Sequence, residues 1–400
     1  MGGRVPRPVS KIVQALRGPH PGLATPIAIG LDPNRGEMLQ NRQVRMRCRY
    51  HALLQIVGFL AVVAFHSEVT FMGSGWFAVE LFFALAGYNM VGALQQRSTL
   101  PRYAWARYRR LALPLLLLVP AVALLVTVGS SAAATYAVAA PLQLHNLTRV
   151  AMTEVRDLDM AWMPTWFVAA LFQLQLLAFL LRRVLVSASL KLVLSGTAAL
   201  GLGFRYALGE VLDGGDGSLS FSAADALYWA PITHVEALVG GVLLGLGRFN
   251  SGRIISVTLF ACLGAFAVAF FSEYPSLAFP LGLGDSGEHV WGYLVLATFA
   301  VVLIDKRQPL ARWVLGWQLA PSVDRAIAIV SQYTFVAYLA HGSVLAVSTY
   351  ALQRVSGGAA FLVSTLGPIV SMLFVVTTSM LISAMFARLL ESRRRARVAQ

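Results

Sequence analysis

Long apolar runs, each about the length needed to cross a bilayer and separated by short arginine-rich connections, constrain this chain more than any other feature. Roughly 20 apolar residues span a hydrocarbon core as a helix, and in lipid a helix satisfies every backbone group internally. The short alternating segments of a β-barrel do not occur. The spacing predicts spans near 51–70, 76–94, 111–131, 165–181, 189–208, 228–247, 254–271, 289–304, 327–350 and 360–387. The expected fold is therefore all-α: a polytopic membrane helix bundle of about ten transmembrane helices. Charged residues make up 12% of the chain, about half the usage of soluble domains, and they cluster between the runs.

The connecting segments test the count. Arg42, Arg45, Arg47 and Arg49 precede the first run, and Arg97, Arg102, Arg107, Arg109 and Arg110 follow the second. Arg182 and Arg183 follow the fourth, Arg248 and Arg253 the sixth, Lys306, Arg307, Arg312 and Arg325 the eighth, and Arg393, Arg394, Arg395 and Arg397 the last. Every second connection is basic. The intervening ones hold Glu210, Asp213, Asp216, Asp225, Glu273, Asp285 and Glu288. The positive-inside rule then puts both termini in the cytoplasm. The net charge of +14 has its place in this pattern and needs no nucleic-acid partner. Residues 1–48 read as a basic, disordered cytoplasmic arm, 49–390 as the membrane domain, and 391–400 as a basic tail. Cys48 and Cys262 lack metal-ligand spacing, and no zinc, Walker or nucleophile-elbow motif occurs.

Ionisable groups inside apolar runs are expensive and usually serve a site or a partner. They are His66, Glu68, Glu80, His234, Glu236 and His341. Consecutive antiparallel helices bring His66 and Glu80 to similar depth. A carboxylate beside an imidazole fixes its tautomer and raises its basicity, as a catalytic base requires. Each of these residues has a plainer reading as well: a hydrogen bond to a neighbouring helix, or for Glu68, His234 and Glu236 the interface. Gly240, Gly241 and Gly245 read as close helix packing. Asn146-Leu147-Thr148 matches a glycosylation sequon of a kind frequent by chance. Asp157 and Asp159 are too few for a metal, and Trp162 suits an interfacial anchor. Arg107 and Arg110, three apart before Pro114, share a helix face if the segment is helical. They read either as ordinary anchoring or as a bidentate clamp for phosphate.

At these residues the chain resembles the acyltransferase 3 family of membrane O-acyltransferases. The run Val62-Val63-Ala64-Phe65-His66 is similar to the family's helix closing on its catalytic histidine. Gly75 to Tyr88 resembles its acidic-Leu-Phe-Phe segment, Arg107 to Pro114 its Arg-x-x-Arg element, and Trp166-Phe167-Val168 its Trp-centred helix. Tyr333 to His341 resembles its Tyr-Leu-x-His, and His234 to Gly240 a segment with Glu before Gly. The chain has Gln55 where the family has an arginine eleven positions before the histidine, and Leu171 where many members carry glutamate. It has Ala86 and Tyr88 for Ser and Phe.

The resemblance implies His66 as general base and Glu80 as its orienting carboxylate. It implies Arg107 and Arg110 on the phosphates of a cytoplasmic acyl-CoA, acetyl-CoA first. His341, Trp166, His234 and Glu236 are then expected near the acceptor, a hydroxyl of a sugar, glycan or glycolipid. No metal is implied. Arginine, alanine, valine and leucine usage suits a multi-pass protein of a GC-rich bacterium's inner (plasma) membrane. A transporter or flippase, and a non-catalytic family member, are the alternatives.

Overall fold

The computed structural model describes residues 33–67, 78–96, 98–126, 139–147, 165–213, 227–248, 286–355 and 360–398. The chain divides into two units, Met1–Arg45 and Met46–Gln400, and the account below concerns the second. The regular elements are α1 (Pro33–His66), α2 (Ala78–Gln95), α3 (Leu100–Val126), α4 (Trp166–Leu180), α5 (Arg182–Ser187), α6 (Leu190–Asp213), α7 (Val235–Gly245), α8 (Ser286–Ile304), α9 (Pro309–Gly316), α10 (Pro321–Val355) and α11 (Ala360–Val398). A 3₁₀ turn, Pro231–His234, leads into α7. Every regular element among the described residues is helical. Residues 33–48, expected in a disordered arm, belong to α1.

Among the described residues, four segments are long and apolar enough to cross a membrane: Arg49–His66, Ala78–Gln95, Pro321–Leu345 and Gly367–Met385. Shorter apolar helices, Trp166–Leu180 and Pro231–Gly245, coincide with two further expected spans. The expected spans at 111–131, 189–208 and 289–304 fall largely within α3, α6 and α8, and 254–271 lies outside the described residues. Val370, Leu373, Phe374, Leu381 and Met385 of α11 are exposed. Such an apolar face suits contact with lipid.

Helices α2 and α7 form the centre. A Cβ at Gly87 would run into the carbonyl of Leu238, and one at Gly241 into that of Ala84. Gly245 lies against Tyr88 and Val91. Small residues four apart allow this backbone approach, so the packing reading of these glycines holds, with Gly240 turned to Val301 of α8. Around this pair Phe83, Ala84, Phe167, Ala237, Leu238 and Ala300 make one buried core.

The start of the membrane domain closes two helix ends. Arg49 is buried and donates to the carbonyls of Val314 (3.2 Å), Leu315 (2.9 Å) and Trp317 (3.0 Å), and to Asp324 (3.0 Å). Tyr50 donates to Leu303 (2.5 Å) and His51 to Ile304 (3.0 Å). The Val314 carbonyl also accepts the Trp317 N–H (3.3 Å); the last carbonyls of a helix otherwise lack intrahelical partners, and a cation there also complements the helix dipole. Arg49 is thus committed to structure.

Candidate active site

Glu80 and His66 do not form the expected pair. His66, the last residue of α1, lies beside His341 of α10, with ring centroids 5.3 Å apart and planes inclined by 33°. His341 is fully buried, and its Nδ1 donates to the Tyr338 carbonyl. That bond puts the hydrogen on Nδ1 and leaves Nε2 as an acceptor. Nε2 is buried and has no hydrogen-bond partner among the described residues. Tyr338 packs on His341 (5.3 Å), Phe167 (5.2 Å) and Phe82 (5.7 Å). A histidine pair with one nitrogen lone pair held open is an arrangement that can accept a proton from a hydroxyl.

Glu80 bonds His234 instead, through Oε1 and Nδ1, while His234 Nε2 donates to the Tyr228 carbonyl at 2.7 Å. A carbonyl only accepts, so Nε2 carries a hydrogen. The Nδ1–Oε1 bond then needs one more, borne by ring or carboxyl. The pair therefore holds one shared proton in the core, with Glu80 1% and His234 0% exposed. Aromatic rings enclose it. Phe83 stacks on His234 at 4.5 Å, Trp166 lies at 5.4 Å, and Tyr228 and Tyr293 at 5.8 Å. Trp166 is thus brought to His234. Helix order decides this partner, since α7 fits the glycine face of α2 more closely than α1 does.

Glu236 meets Arg205, a residue the sequence reading passed over. Arg205 is fully buried and binds Glu236 bidentately, at 2.6 and 3.1 Å, and donates to the Thr233 carbonyl at 2.9 Å. Its signal was present, as an arginine inside the apolar run 189–208. A Cβ at Gly201 would collide with the Glu236 carboxylate, so glycine makes room for the pair one turn before Arg205. A cavity of about 240 Å³ between α6, α7 and α8 reaches Glu236 and is otherwise walled mainly by apolar side chains.

Arg107 and Arg110 do lie on one helix, α3. The Arg107 guanidinium sits 5.3 Å over the Tyr103 ring, and Arg110, three residues on, is exposed. Burial raises the Tyr103 phenol above its ordinary pKa, against the pull of Arg107, so the contact is cation–π rather than an ion pair. Tyr103 in turn stacks on Phe179 of α4, 4.1 Å apart at 11°. Of the positions that differ from the resembled pattern, Leu171 is core, Gln55 is half-buried, and Tyr88 has His51 edge-on at 4.6 Å and the Lys306 ammonium at 5.2 Å. Asn146 is fully buried and donates to Gln173 (3.2 Å) and the Trp229 carbonyl (3.4 Å). The sequon match therefore rests on an asparagine that a glycosylating enzyme cannot reach. Glu68, Cys262, Asp157, Asp159 and Trp162 lie outside the described residues.

These features define a class, a helical membrane protein with histidines and paired charges buried between its apolar helices. The family model of the acyltransferase domain, acyltransferase 3, matches residues 50–388. The chain belongs to the acyltransferase 3 family, and the family's chemistry is acyl transfer at a membrane. Comparison with curated proteins and with solved structures gives no significant match.

Proposed function

We propose that the chain moves an acyl group, acetyl first, from cytoplasmic acyl-CoA to a hydroxyl of a sugar, glycan or glycolipid. In this reading it crosses a bacterial plasma membrane about ten times with both termini inside. The observation that carries the reading is His66 beside His341, whose Nε2 is a buried acceptor without a partner among the described residues. His66 takes the hydroxyl proton as the oxygen attacks the thioester carbonyl. The C–S bond breaks, and the coenzyme leaves as a thiolate that the proton on His66 can neutralise. Such a base contributes roughly 10²–10⁴-fold. In a second form of the step His66 itself is acylated first. His341 Nε2, an open acceptor, takes a hydrogen bond from a neighbouring hydroxyl of the acceptor and so orients the attacking one. Glu80 holds the His234 ring rather than His66, and Arg107 with Arg110 binds donor phosphate.

Purified protein with radiolabelled acetyl-CoA and an envelope-glycan extract tests this. His66→Ala is expected to abolish label transfer while donor binding persists. Transfer at the wild-type rate would reject His66 as the base. Donor binding without turnover in the wild type would favour a non-catalytic member, in line with a buried Leu171 at the position where many members of the resembled pattern carry glutamate. No binding of any acyl-CoA would favour a transporter.

A further inference from the structure

We propose that Arg182 completes the donor site by binding a second phosphate group, so that the site selects the 3′-phosphorylated nucleotide of coenzyme A. The proposal rests on the acyl-CoA reading above. Arg182 begins α5, directly after the turn that ends α4. Its guanidinium lies 4.1 Å over the ring of Phe179, which is fully buried. Tyr103 already covers one face of that ring at 4.1 Å, so Arg182 takes the other. Arg107 lies over Tyr103 at 5.3 Å. Two arginines from separate helices therefore bracket one two-ring stack.

Neither arginine forms an ion pair among the described residues. The buried arginines elsewhere are used up, Arg49 on carbonyls and Asp324, Arg205 on Glu236 and Thr233. A guanidinium stacked on a ring still presents its N–H groups in plane, in the fork that matches phosphate oxygens. The α5 turn is itself held in place, because Arg248 donates to the carbonyls of Leu185 (2.5 Å) and Ala188. Arg182 is thus a half-buried, preoriented cation whose donors meet no carboxylate among the described residues.

The donor offers two anionic groups on one ribose, a 5′-diphosphate that leads to the pantetheine arm and a 3′-phosphate. Helix α3 runs on from Arg107 into apolar sequence, the direction the arm must follow, so Arg107 and Arg110 take the diphosphate. Arg182, on the turn after α4, takes the 3′-phosphate. A phosphopantetheine arm on a carrier protein has one phosphate and no nucleotide, and uses only half of this site.

Competition against radiolabelled acetyl-CoA on the full-length protein in detergent tests the assignment, with CoA, 3′-dephospho-CoA and 4′-phosphopantetheine as competitors. The wild type is expected to prefer CoA over 3′-dephospho-CoA by about ten- to hundredfold, the value of a charge-assisted hydrogen bond. In Arg182→Gln, CoA affinity is expected to fall to that of 3′-dephospho-CoA, whose own affinity is unchanged. Arg107→Gln is expected to weaken both alike. Equal loss of both ligands in Arg182→Gln, or loss of neither, would overturn the inference and leave the acyl-CoA reading standing. A wild type that binds no CoA would overturn both. Should the variant fold poorly, arginine-selective modification of the wild type followed by mass spectrometry gives the same answer. CoA is expected to protect Arg182 where 3′-dephospho-CoA does not, and equal protection by the two would count against it.

Discussion

Removing the Glu80 carboxyl and merely neutralising it should have very different consequences. Both members of the Glu80–His234 pair are buried, and His234 Nε2 is already committed to Tyr228 at 2.7 Å. Glu80→Ala leaves Nδ1 without a partner in the core. Losing a hydrogen bond to a charged group costs about 1.5–3 kcal/mol, and the space left by the shortened side chain adds about 1 kcal/mol. Glu80→Gln keeps the shape. Its amide N–H donates to Nδ1, His234 becomes neutral with its hydrogen on Nε2, and both ring nitrogens remain satisfied. The expected cost is about 0.5–1.5 kcal/mol, the net worth of an ordinary hydrogen bond. Unfolding of the two variants in the same mixed micelles, followed by fluorescence, measures the difference. Imidazole ¹⁵N shifts check the bonding directly, since Glu80→Gln should show a neutral His234 with its hydrogen on Nε2. Equal destabilisation by Gln and Ala would refute the shared-proton account and require a fixed ion pair instead.

Other residues give independent checks. Arg205→Met strands the Glu236 carboxylate in the core, an expected loss of about 3–5 kcal/mol. Arg205→Met with Glu236→Met should recover most of it, and failure to recover would mean the pair is not the source of the loss. Gly241→Ala drives a Cβ into the Ala84 carbonyl and should cost about 1–3 kcal/mol. Gly92→Ala on α2 has open space around its Cβ and should be neutral or stabilising. Together these bear on the packing of α2 against α7, and similar effects from the two would contradict it.

The helical class, most of the apolar segments and the family were readable from the chain alone, because hydropathy and local motifs are properties of neighbouring residues. So were the polar residues worth watching. His66, Glu80, His234, Glu236 and His341 stood out because charge is costly within an apolar run. Arg205 carried the same signal and was overlooked in a segment whose other charge is peripheral. The partners were a different matter. Glu80 lies fourteen residues from His66 in sequence and 154 from His234, and it bonds the distant one. Sequence distance favours the nearer histidine. Gly87, Gly241 and Gly245 let α7 come close enough to α2 to present His234 to the carboxylate. A side chain's hydrophobicity travels with the residue, whereas the identity of its hydrogen-bond partner exists only after helices from across the chain have packed. Only the tertiary structure therefore decided that Glu80 meets His234, Glu236 meets Arg205, and His66 is left beside His341.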